Sequence, residues 1–344
     1  MARLLFAAVR SAGAGRLAAR GAVPHPFSVF LLSGGGGFER RESPYSSAAF
    51  GASCFPNATP IPTFDRVTPW LVGAPTGKMS LLMAEAPKML SGKKALVIGG
   101  GGGGIGRAIT QGLAAAGSAV AVADVERDRA DEAAAEVAAA GGKSLSLTGD
   151  VRSPEDIDGF MSSAARELGG LDILVTVVGG QLAFVPPTPL HETTDADWDL
   201  MFDLNLRYVA RAVRTGLRVF LAQGRGGTIV SVGSITGHAG SPMQAAYGAA
   251  KAGLASLARS VAAEYSGEGI RMNLVTCGPV ATPVAQAAQT GTADWIPMGR
   301  PGESSEVADA AVFLASPLSS YITGQSLVID GGATAVGPFP HSTR

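Results

Sequence analysis

The chain has 344 residues, of which 46% are hydrophobic, and a formal net charge of -1. A charge this close to neutral gives no electrostatic basis for binding nucleic acid. The two cysteines argue against a disulfide framework and for a reducing compartment, and no apolar run reaches the roughly eighteen residues that would suggest a membrane span. These properties favour a small-molecule function in a protein with one large core.

The first 88 residues differ in composition from the rest. Arginines lie among Ala, Gly and Leu, and no acidic residue precedes Glu39, as in a mitochondrial transit segment. Alternatively, Met79 is the true start, because the chain from there runs into the first predicted strand with a short lead. We favour the second interpretation and therefore a cytoplasmic protein, whereas a genuine transit segment would place it in the mitochondrial matrix. In either case residues 1–88 are expected to be largely disordered.

A glycine-rich turn follows the first predicted strand. Residues 95–98 form a short apolar run, residues 99–104 are all glycine, and a helical stretch that Gly117 can end starts at once. Strand, glycine turn and helix are typical of a dinucleotide site, because N–H groups at a helix start reach a pyrophosphate only where no β-carbon intrudes. The predicted cofactor contacts in this turn are Gly100, Gly104, Ile105 and Gly106.

Asp124 ends the next apolar run, about twenty residues beyond Gly104. A carboxylate there can accept hydrogen bonds from an adenosine ribose and would repel a 2′-phosphate, so we favour NAD over NADP. Two observations leave the choice open. Asp124 could instead cap the following helix, and the nearby Arg127 weakens the exclusion of NADP.

Tyr247 and Lys251 stand four residues apart in a helix-compatible run at 245–263. They can therefore share one face of a helix, where the ammonium is expected to lower the pKa of the phenol from about 10 and make it a usable acid-base group. Ser234 ends a predicted strand and can donate to the same substrate oxygen. Tyr and Lys at this spacing are common in proteins, and the glycine turn in the same chain is what favours the catalytic interpretation.

Together these motifs resemble the short-chain dehydrogenase/reductase family over residues 90–333. The family's TGxxxGxG motif corresponds to residues 99–106, its YxxxK motif to Tyr247 and Lys251, its serine to Ser234 and its active-site asparagine to Asn205. The resemblance implies that Asn205 positions a water that relays the proton through Lys251, which also holds the nicotinamide ribose. It further implies cofactor contacts at Asp150, Val151, Gly179, Val280, Thr282, Tyr247 and Lys251.

The chain departs from the family pattern at three places. Gly99 replaces the usual threonine, residues 176–179 read Thr-Val-Val-Gly instead of Asn-Asn-Ala-Gly, and Cys277 replaces a proline before Gly278. None of these removes a proton-transfer group. They put in doubt the hydrogen bonding that ties the central strands to the glycine turn, since valine cannot replace an amide.

Alternating strand-like and helical runs predict one doubly wound, Rossmann-type α/β domain at residues 89–335, followed by a tail at 336–344. Its mostly parallel sheet is expected to have seven strands, at residues 95–98, 119–123, 144–147, 173–178, 228–232, 271–275 and 326–329. The four histidines and two cysteines show no metal-ligand spacing. Family resemblance implies a homotetramer, and the small residues Gly248 and Gly253 would permit another helix to approach closely.

The motifs predict an oxidoreductase that transfers hydride between NAD(H) and the alcohol or ketone group of a small, fairly apolar substrate. The expected substrate-facing segments, at 181–190 and 284–298, contain Phe184, Trp295, Ile296 and Met298 but no cationic cluster for a phosphate-bearing carrier. The alternatives are a 3-oxoacyl thioester reductase, a dehydratase or epimerase that uses the same groups, and a catalytically silent NAD-binding regulator.

Overall fold

The computed structural model describes residues 88–287 and 294–335, with only the backbone of Ala287. The expectations for the leader, apart from Lys88, and for the tail at 336–344 lie outside these residues. Among the described residues, no helix is long and apolar enough to cross a membrane.

One seven-stranded sheet organises the described part of the chain, and all its neighbouring strands pair in parallel in the order β3-β2-β1-β4-β5-β6-β7. The strands are β1 Lys94–Ile98, β2 Ala119–Asp124, β3 Ser144–Thr148, β4 Ile173–Thr176, β5 Gly227–Ser234, β6 Ile270–Cys277 and β7 Ser326–Ile329. The predicted doubly wound α/β architecture is therefore confirmed.

Helices connect successive strands. They are α1 Ile105–Ala115, α2 Arg127–Ala139, α3 Pro154–Leu168, α4 Asp195–Phe202, α5 Tyr208–Gln223, α6 Ala245–Tyr265, α7 Pro283–Ala287 and α8 Ser304–Ala315. A π-helical turn, Asp203–Arg207, joins α4 to α5. A 3-10 turn, Ile235–Gly237, follows β5 and precedes the loop that leads to α6.

The sheet is buried on both faces, as parallel sheets generally are. Leu96 and Ile98 contribute to a core with α3, α5 and α6, whereas Ala95 and Val97 point the other way, into a core with α1 and α8. Successive strand side chains alternate between faces, so an almost continuous apolar run can serve both cores.

The carboxyl ends of the strands meet at one edge of the sheet because every strand runs in the same direction. The strand order reverses at β1, which lies between β2 and β4, and such a switch point opens a ligand crevice at the carboxyl edge. The glycine turn follows β1 there, and Ser234 ends β5 at the same edge.

The small residues of α6 pack within the subunit. A β-carbon on Gly248 would lie 2.9 Å from the carbonyl oxygen of Thr236, and one on Gly253 would lie 2.8 Å from the side chain of Leu206. Close approach of the 3-10 turn and of the π-helical turn therefore accounts for both glycines without another subunit.

Candidate active site

The first half of the glycine turn is anchored to β2. The N–H groups of Gly99 and Gly100 both donate to the carbonyl of Ala123, at 2.7 and 3.2 Å. A β-carbon on Gly100 would lie 2.7 Å from the hydroxyl oxygen of Thr110, and one on Gly106 would overlap the carbonyl oxygen of Gly99. Glycine is required at these positions so that the turn can pack on the sheet and on α1.

The second half of the turn faces open space. A β-carbon on Gly102 would meet no atom of the described residues within 4 Å, and one on Gly104 would meet first the Thr282 side chain, at 3.4 Å. Gly104 precedes α1, and no side chain in the described part of the chain caps the first N–H groups of that helix. An uncapped helix start behind an open glycine loop fits a pyrophosphate, so these residues can hold a dinucleotide.

Asp124 holds the turn from the end of β2. One of its carboxylate oxygens accepts a hydrogen bond from the N–H of Gly101 at 3.2 Å, and the other accepts from the N–H of Glu126 at 3.2 Å. The alternative that Asp124 caps the next helix is wrong, because Glu126 occupies the N-cap of α2 and no side chain among the described residues, Asp124 included, caps that helix. Arg127 is exposed.

Arg107 binds the other side of Gly101, at its carbonyl, a contact that the sequence analysis did not predict. Its Nε and Nη2 atoms donate to the carbonyl of Gly101 at 3.0 and 2.7 Å, while Nη1 pairs with Glu136 at 2.7 Å. Together with Asp124, Arg107 fixes both ends of the Gly101 residue. The only signal in the sequence is an arginine directly after the last glycine of the motif.

Asp150 and Val151 follow β3 at the same edge of the sheet. Both oxygens of the Asp150 carboxylate face the guanidinium of Arg152, the nearer at 2.6 Å, and this hydrogen bonding lowers the pKa of Asp150 below its ordinary value. Val151 is buried. A charged acceptor beside an apolar side chain suits the adenine contact that family resemblance implies, which stays a prediction.

Ser234, Tyr247 and Lys251 converge where β5 ends against α6. The ammonium of Lys251 lies 5.7 Å from the ring centroid of Tyr247, so the two side chains share one helix face as predicted. It also donates to the carbonyl of Val232, at 2.9 Å. The Ser234 hydroxyl lies close enough to Tyr247 to lower the pKa of the phenol.

The expected lowering of the Tyr247 pKa by Lys251 is not found in the polypeptide itself. Burial is the largest influence and raises the pKa of Tyr247, and among the described residues only the hydrogen bond from Ser234 opposes it. Burial also lowers the pKa of Lys251 to about 8. The ammonium is directed at the Val232 carbonyl, and the apolar surroundings disfavour both charged forms.

Asn205 is fully buried within the π-helical turn, a rare element that often occurs at functional sites. Its amide nitrogen donates to the carbonyls of Met201 and Gly180, at 3.0 and 3.2 Å, and its oxygen accepts from the N–H of Gly180 at 2.9 Å. A β-carbon on Gly179 would overlap this oxygen and lie 3.2 Å from the ammonium of Lys251. The structure therefore brings Asn205, Gly179 and Lys251 together.

Known proteins match nearly all of the described part. A family model described as Enoyl-(Acyl carrier protein) reductase matches residues 100–334. The cis-4-hydroxycyclohexanecarboxylate dehydrogenase of Sinomonas cyclohexanicum is 38% identical over 248 residues, which are 71% of this chain and 98% of that protein. The 3-oxoacyl-[acyl-carrier-protein] reductase of Escherichia coli K12 is 35% identical over 245 residues, 70% of this chain and 97% of that protein.

A solved structure described as a short-chain type dehydrogenase/reductase from Mycobacterium marinum has a TM-score of 0.68 and 34% identity. The match covers 73% of this chain and 98% of that one. This protein belongs to the short-chain dehydrogenase/reductase family. Membership implies an oxidoreductase with a nicotinamide cofactor, and the glycine turn described above fits that group.

Two departures from the short-chain dehydrogenase/reductase pattern compensate for each other. A β-carbon on Gly99 would lie 2.7 Å from Cγ2 of Val178 and 2.9 Å from its nitrogen. Glycine thus stands where the family has threonine, and the larger valine stands where the family has alanine. The two positions touch, so the small residue at position 99 makes room for the larger side chain at position 178.

Hydroxyl groups make hydrogen bonds in the segment where the short-chain dehydrogenase/reductase pattern has two asparagines. The phenol of Tyr208 donates to the carbonyl of Val178 at 2.7 Å, and the hydroxyls of Thr176 and Ser231 join β4 to β5 at 2.8 Å. β4 ends at Thr176 and not at 178 as predicted, because its pairing with β1 stops at Ile98, the partner of Thr176. The central strands remain tied to the site by a different set of residues.

The predicted nicotinamide segment of this short-chain dehydrogenase/reductase follows β6. Val280 is buried and forms an isolated bridge with Gly302, and the Thr282 hydroxyl accepts from the N–H of Ala285. Cys277 packs in the core, where burial raises the pKa of its thiol to about 12. Of the two predicted cofactor residues, Thr282 borders the open side of the glycine turn beside Gly104.

A residue with a strained backbone, Met243, holds the predicted substrate-facing segment at 181–190 of this short-chain dehydrogenase/reductase. Met243 has φ 63°, the only positive φ of a non-glycine residue in the described ranges. Its carbonyl accepts from the amide of Gln181 at 2.9 Å and from the N–H of Thr188 at 3.2 Å. These bonds join the segment at 181–190 to the loop before α6.

The predicted apolar residues of the substrate segments divide into two groups. Phe184, Trp295 and Met298 are exposed, whereas Ile296 is buried and therefore serves the core. Residues 288–293 of the second segment lie outside the described part. Within the described residues, no group of His, Cys, Asp and Glu could hold a metal ion.

Proposed function

We propose that this protein transfers hydride between NAD(H) and the alcohol or ketone carbon of a small, fairly apolar substrate. One observation carries the proposal: Ser234, Tyr247, Lys251 and Asn205 converge at the carboxyl edge of the sheet, next to a glycine turn open for a dinucleotide. The roles given below to individual residues are part of this proposal.

Bound nicotinamide supplies or accepts the hydride. Ser234 donates a hydrogen bond to the substrate oxygen, on which charge changes during the reaction. Tyr247 gives that oxygen a proton in carbonyl reduction and removes one in alcohol oxidation. Burial raises the pKa of Tyr247 and so keeps it protonated near neutral pH, which favours its role as an acid in reduction.

Lys251 and Asn205 complete the proton path in this proposal. The ammonium of Lys251 stabilises phenolate in the oxidation direction, and Gly179 leaves space between it and the Asn205 amide. Both donors of that amide are engaged, whereas its oxygen accepts only one hydrogen bond from the described residues. The oxygen can therefore hold a water near Lys251.

We infer a preference for NAD from the position of Asp124, whose carboxylate lies at the end of β2 against the glycine turn. Asp124→Ser should lower the ratio of kcat/KM with NAD to that with NADP by about tenfold, since it removes one repulsive charge. The ratio is the quantity to compare, because the substitution also removes the bond to Gly101, and a looser turn would weaken the binding of NAD and NADP equally. Asp128→Ser removes the same charge from the exposed start of α2 and should leave the ratio unchanged. An equal ratio in Asp124→Ser and the parent enzyme would contradict the inference.

The substrate class rests on the exposed apolar side chains and on the relatives. Phe184 and Trp295 are large and exposed, and the named substrate of one relative is a hydroxylated cyclohexane carboxylate. A cyclic secondary alcohol or its ketone therefore suits the proposal. The Escherichia coli relative favours a 3-oxoacyl thioester as second candidate. Against it, the segments at 181–190 and 284–298 contain no lysine or arginine that could bind the phosphate of an acyl carrier.

A panel of cyclic and acyclic secondary alcohols, their ketones and 3-oxoacyl thioesters would test this function. Turnover is followed by the absorbance of reduced nicotinamide, with NAD(H) and NADP(H) in parallel. We expect the highest kcat/KM with a cyclic alcohol or ketone and NAD(H). Cofactor binding without turnover of any member would support the regulator instead. A homotetramer stays a proposal that rests on family resemblance, and a cytoplasmic location stays a proposal that rests on Met79 as the true start.

A further inference from the structure

Thr236 makes two hydrogen bonds to Ser234 that the reaction scheme above does not use. Its backbone N–H lies 3.3 Å from the Ser234 hydroxyl oxygen and its side-chain hydroxyl lies 3.0 Å from it. A hydroxyl oxygen accepts through two lone pairs and donates one hydrogen. If Thr236 donates both bonds, Ser234 has no accepting site left and its own hydrogen is free to point elsewhere.

The turn that carries Thr236 is held against the helix of Tyr247 and Lys251. A β-carbon on Gly248 would lie 2.9 Å from the carbonyl oxygen of Thr236, and one on Gly237 would lie 2.8 Å from the backbone nitrogen of Ala252. The turn therefore has backbone contacts with α6 along its length. Thr236 cannot move away from Ser234 without displacing this packing.

We propose that Thr236 is a positioning residue that keeps the Ser234 hydroxyl in the donor orientation towards the substrate oxygen. The inference rests on the proposed function, since it assigns a residue to the same site. Without the Thr236 hydroxyl, one lone pair of Ser234 is unoccupied and the hydroxyl can rotate about its Cβ–Oγ bond, so its hydrogen no longer points in one fixed direction. The fraction of enzyme in which Ser234 donates to substrate then falls.

Thr236→Val removes the hydroxyl but keeps the shape and the backbone N–H. We expect it to lower kcat by about fivefold to tenfold, the effect of losing one hydrogen bond, with the Kd for NADH unchanged. Thr236→Ser retains the hydroxyl and should keep parent activity. Thr215→Val removes a hydroxyl bonded to Asp158 on the surface of α5 and controls for a general effect of the substitution.

A double-mutant cycle shows whether Thr236 acts through Ser234. In a Ser234→Ala enzyme, Thr236→Val should cause no further loss of kcat. If the threonine merely supports the fold, the same factor is lost in both backgrounds, and the proposal is overturned. Equal kcat in Thr236→Val and the parent would overturn it too, as would an equal loss in Thr236→Ser. Should the valine variant fold poorly, Thr236→Ala replaces it in the same cycle.

The pH profile supplies a second readout that packing alone would not move. The titratable groups near Ser234 are Tyr247, Lys251 and Cys277, and His238 is exposed on the following loop. A donated bond from Ser234 lowers the pKa of Tyr247. Thr236→Val should therefore shift the ionisation in kcat/KM for alcohol oxidation to higher pH.

If the parent turns over no alcohol or ketone, the proposed function fails; if only the valine effects are missing, this inference fails alone.

Discussion

Tyr247→Phe is expected to lower kcat by on the order of a thousandfold in both directions, because general acid-base transfer by a positioned side chain contributes about 10²–10⁴-fold. The ring remains, and it packs with Val185, Met201 and Ala246, so the site should keep its shape. Binding of NADH, measured by nicotinamide fluorescence, should change by less than about twofold. The rate is measured with the best substrate of the panel.

Tyr265→Phe is the matched control for this substitution. Tyr265 lies at the opposite end of the same helix, α6, from Tyr247, and it packs against the core. Its variant should retain the parent rate. Full activity in Tyr247→Phe would show that another group moves the proton, and the assignment of Tyr247 would have to be withdrawn.

Lys251→Met should lower kcat by about a hundredfold and at the same time stabilise the fold near pH 7. The ammonium is buried, and burial lowers its pKa to about 8. Holding it charged at neutral pH therefore costs roughly 3 kcal/mol of folding free energy. Losing the hydrogen bond to the Val232 carbonyl destabilises the variant by about 1 kcal/mol, so the net stabilisation by Lys251→Met is on the order of 2 kcal/mol.

The pH dependence of this gain follows from the direction of the pKa shift. Between about pH 8 and pH 10.5 the unfolded lysine still binds a proton that the folded one has lost, so the stability of the parent rises with pH in this window. The advantage of Lys251→Met should be full below pH 8, shrink across this window and give way above pH 10.5 to a loss of about 1 kcal/mol from the missing bond to Val232. Chemical denaturation at several pH values measures it.

Lys94→Met provides the comparison for this experiment. The Lys94 ammonium also donates to a backbone carbonyl, that of Gly169 at 2.8 Å, but it is exposed. Its replacement should change stability little and without a dependence on pH in the same window. A Lys251→Met protein that is less stable than the parent at pH 7 would mean that the buried ammonium does not oppose folding.

The seven strands could be predicted because each is a short apolar run bounded by turn residues, and all seven lie within a few residues of their predicted bounds. The end of β4 could not. It depends on the register with β1, which lies far away in the sequence and ends at Ile98, the pairing partner of Thr176. The π-helical turn at Asn205 was missed for a similar reason, since no local residue pattern distinguishes it from an ordinary helix.

The sequence by itself determined the order of the strands along the chain and the residue types available for chemistry, because glycine spacing and helical spacing are local properties. Only the tertiary structure decided how those groups behave. Burial sets the proton affinities of Tyr247 and Lys251, Thr236 occupies the accepting side of Ser234, and Gly99 fits against Val178. Such effects depend on which distant segments come within a few ångströms of each other and on how much water they exclude, and spacing along the chain records neither.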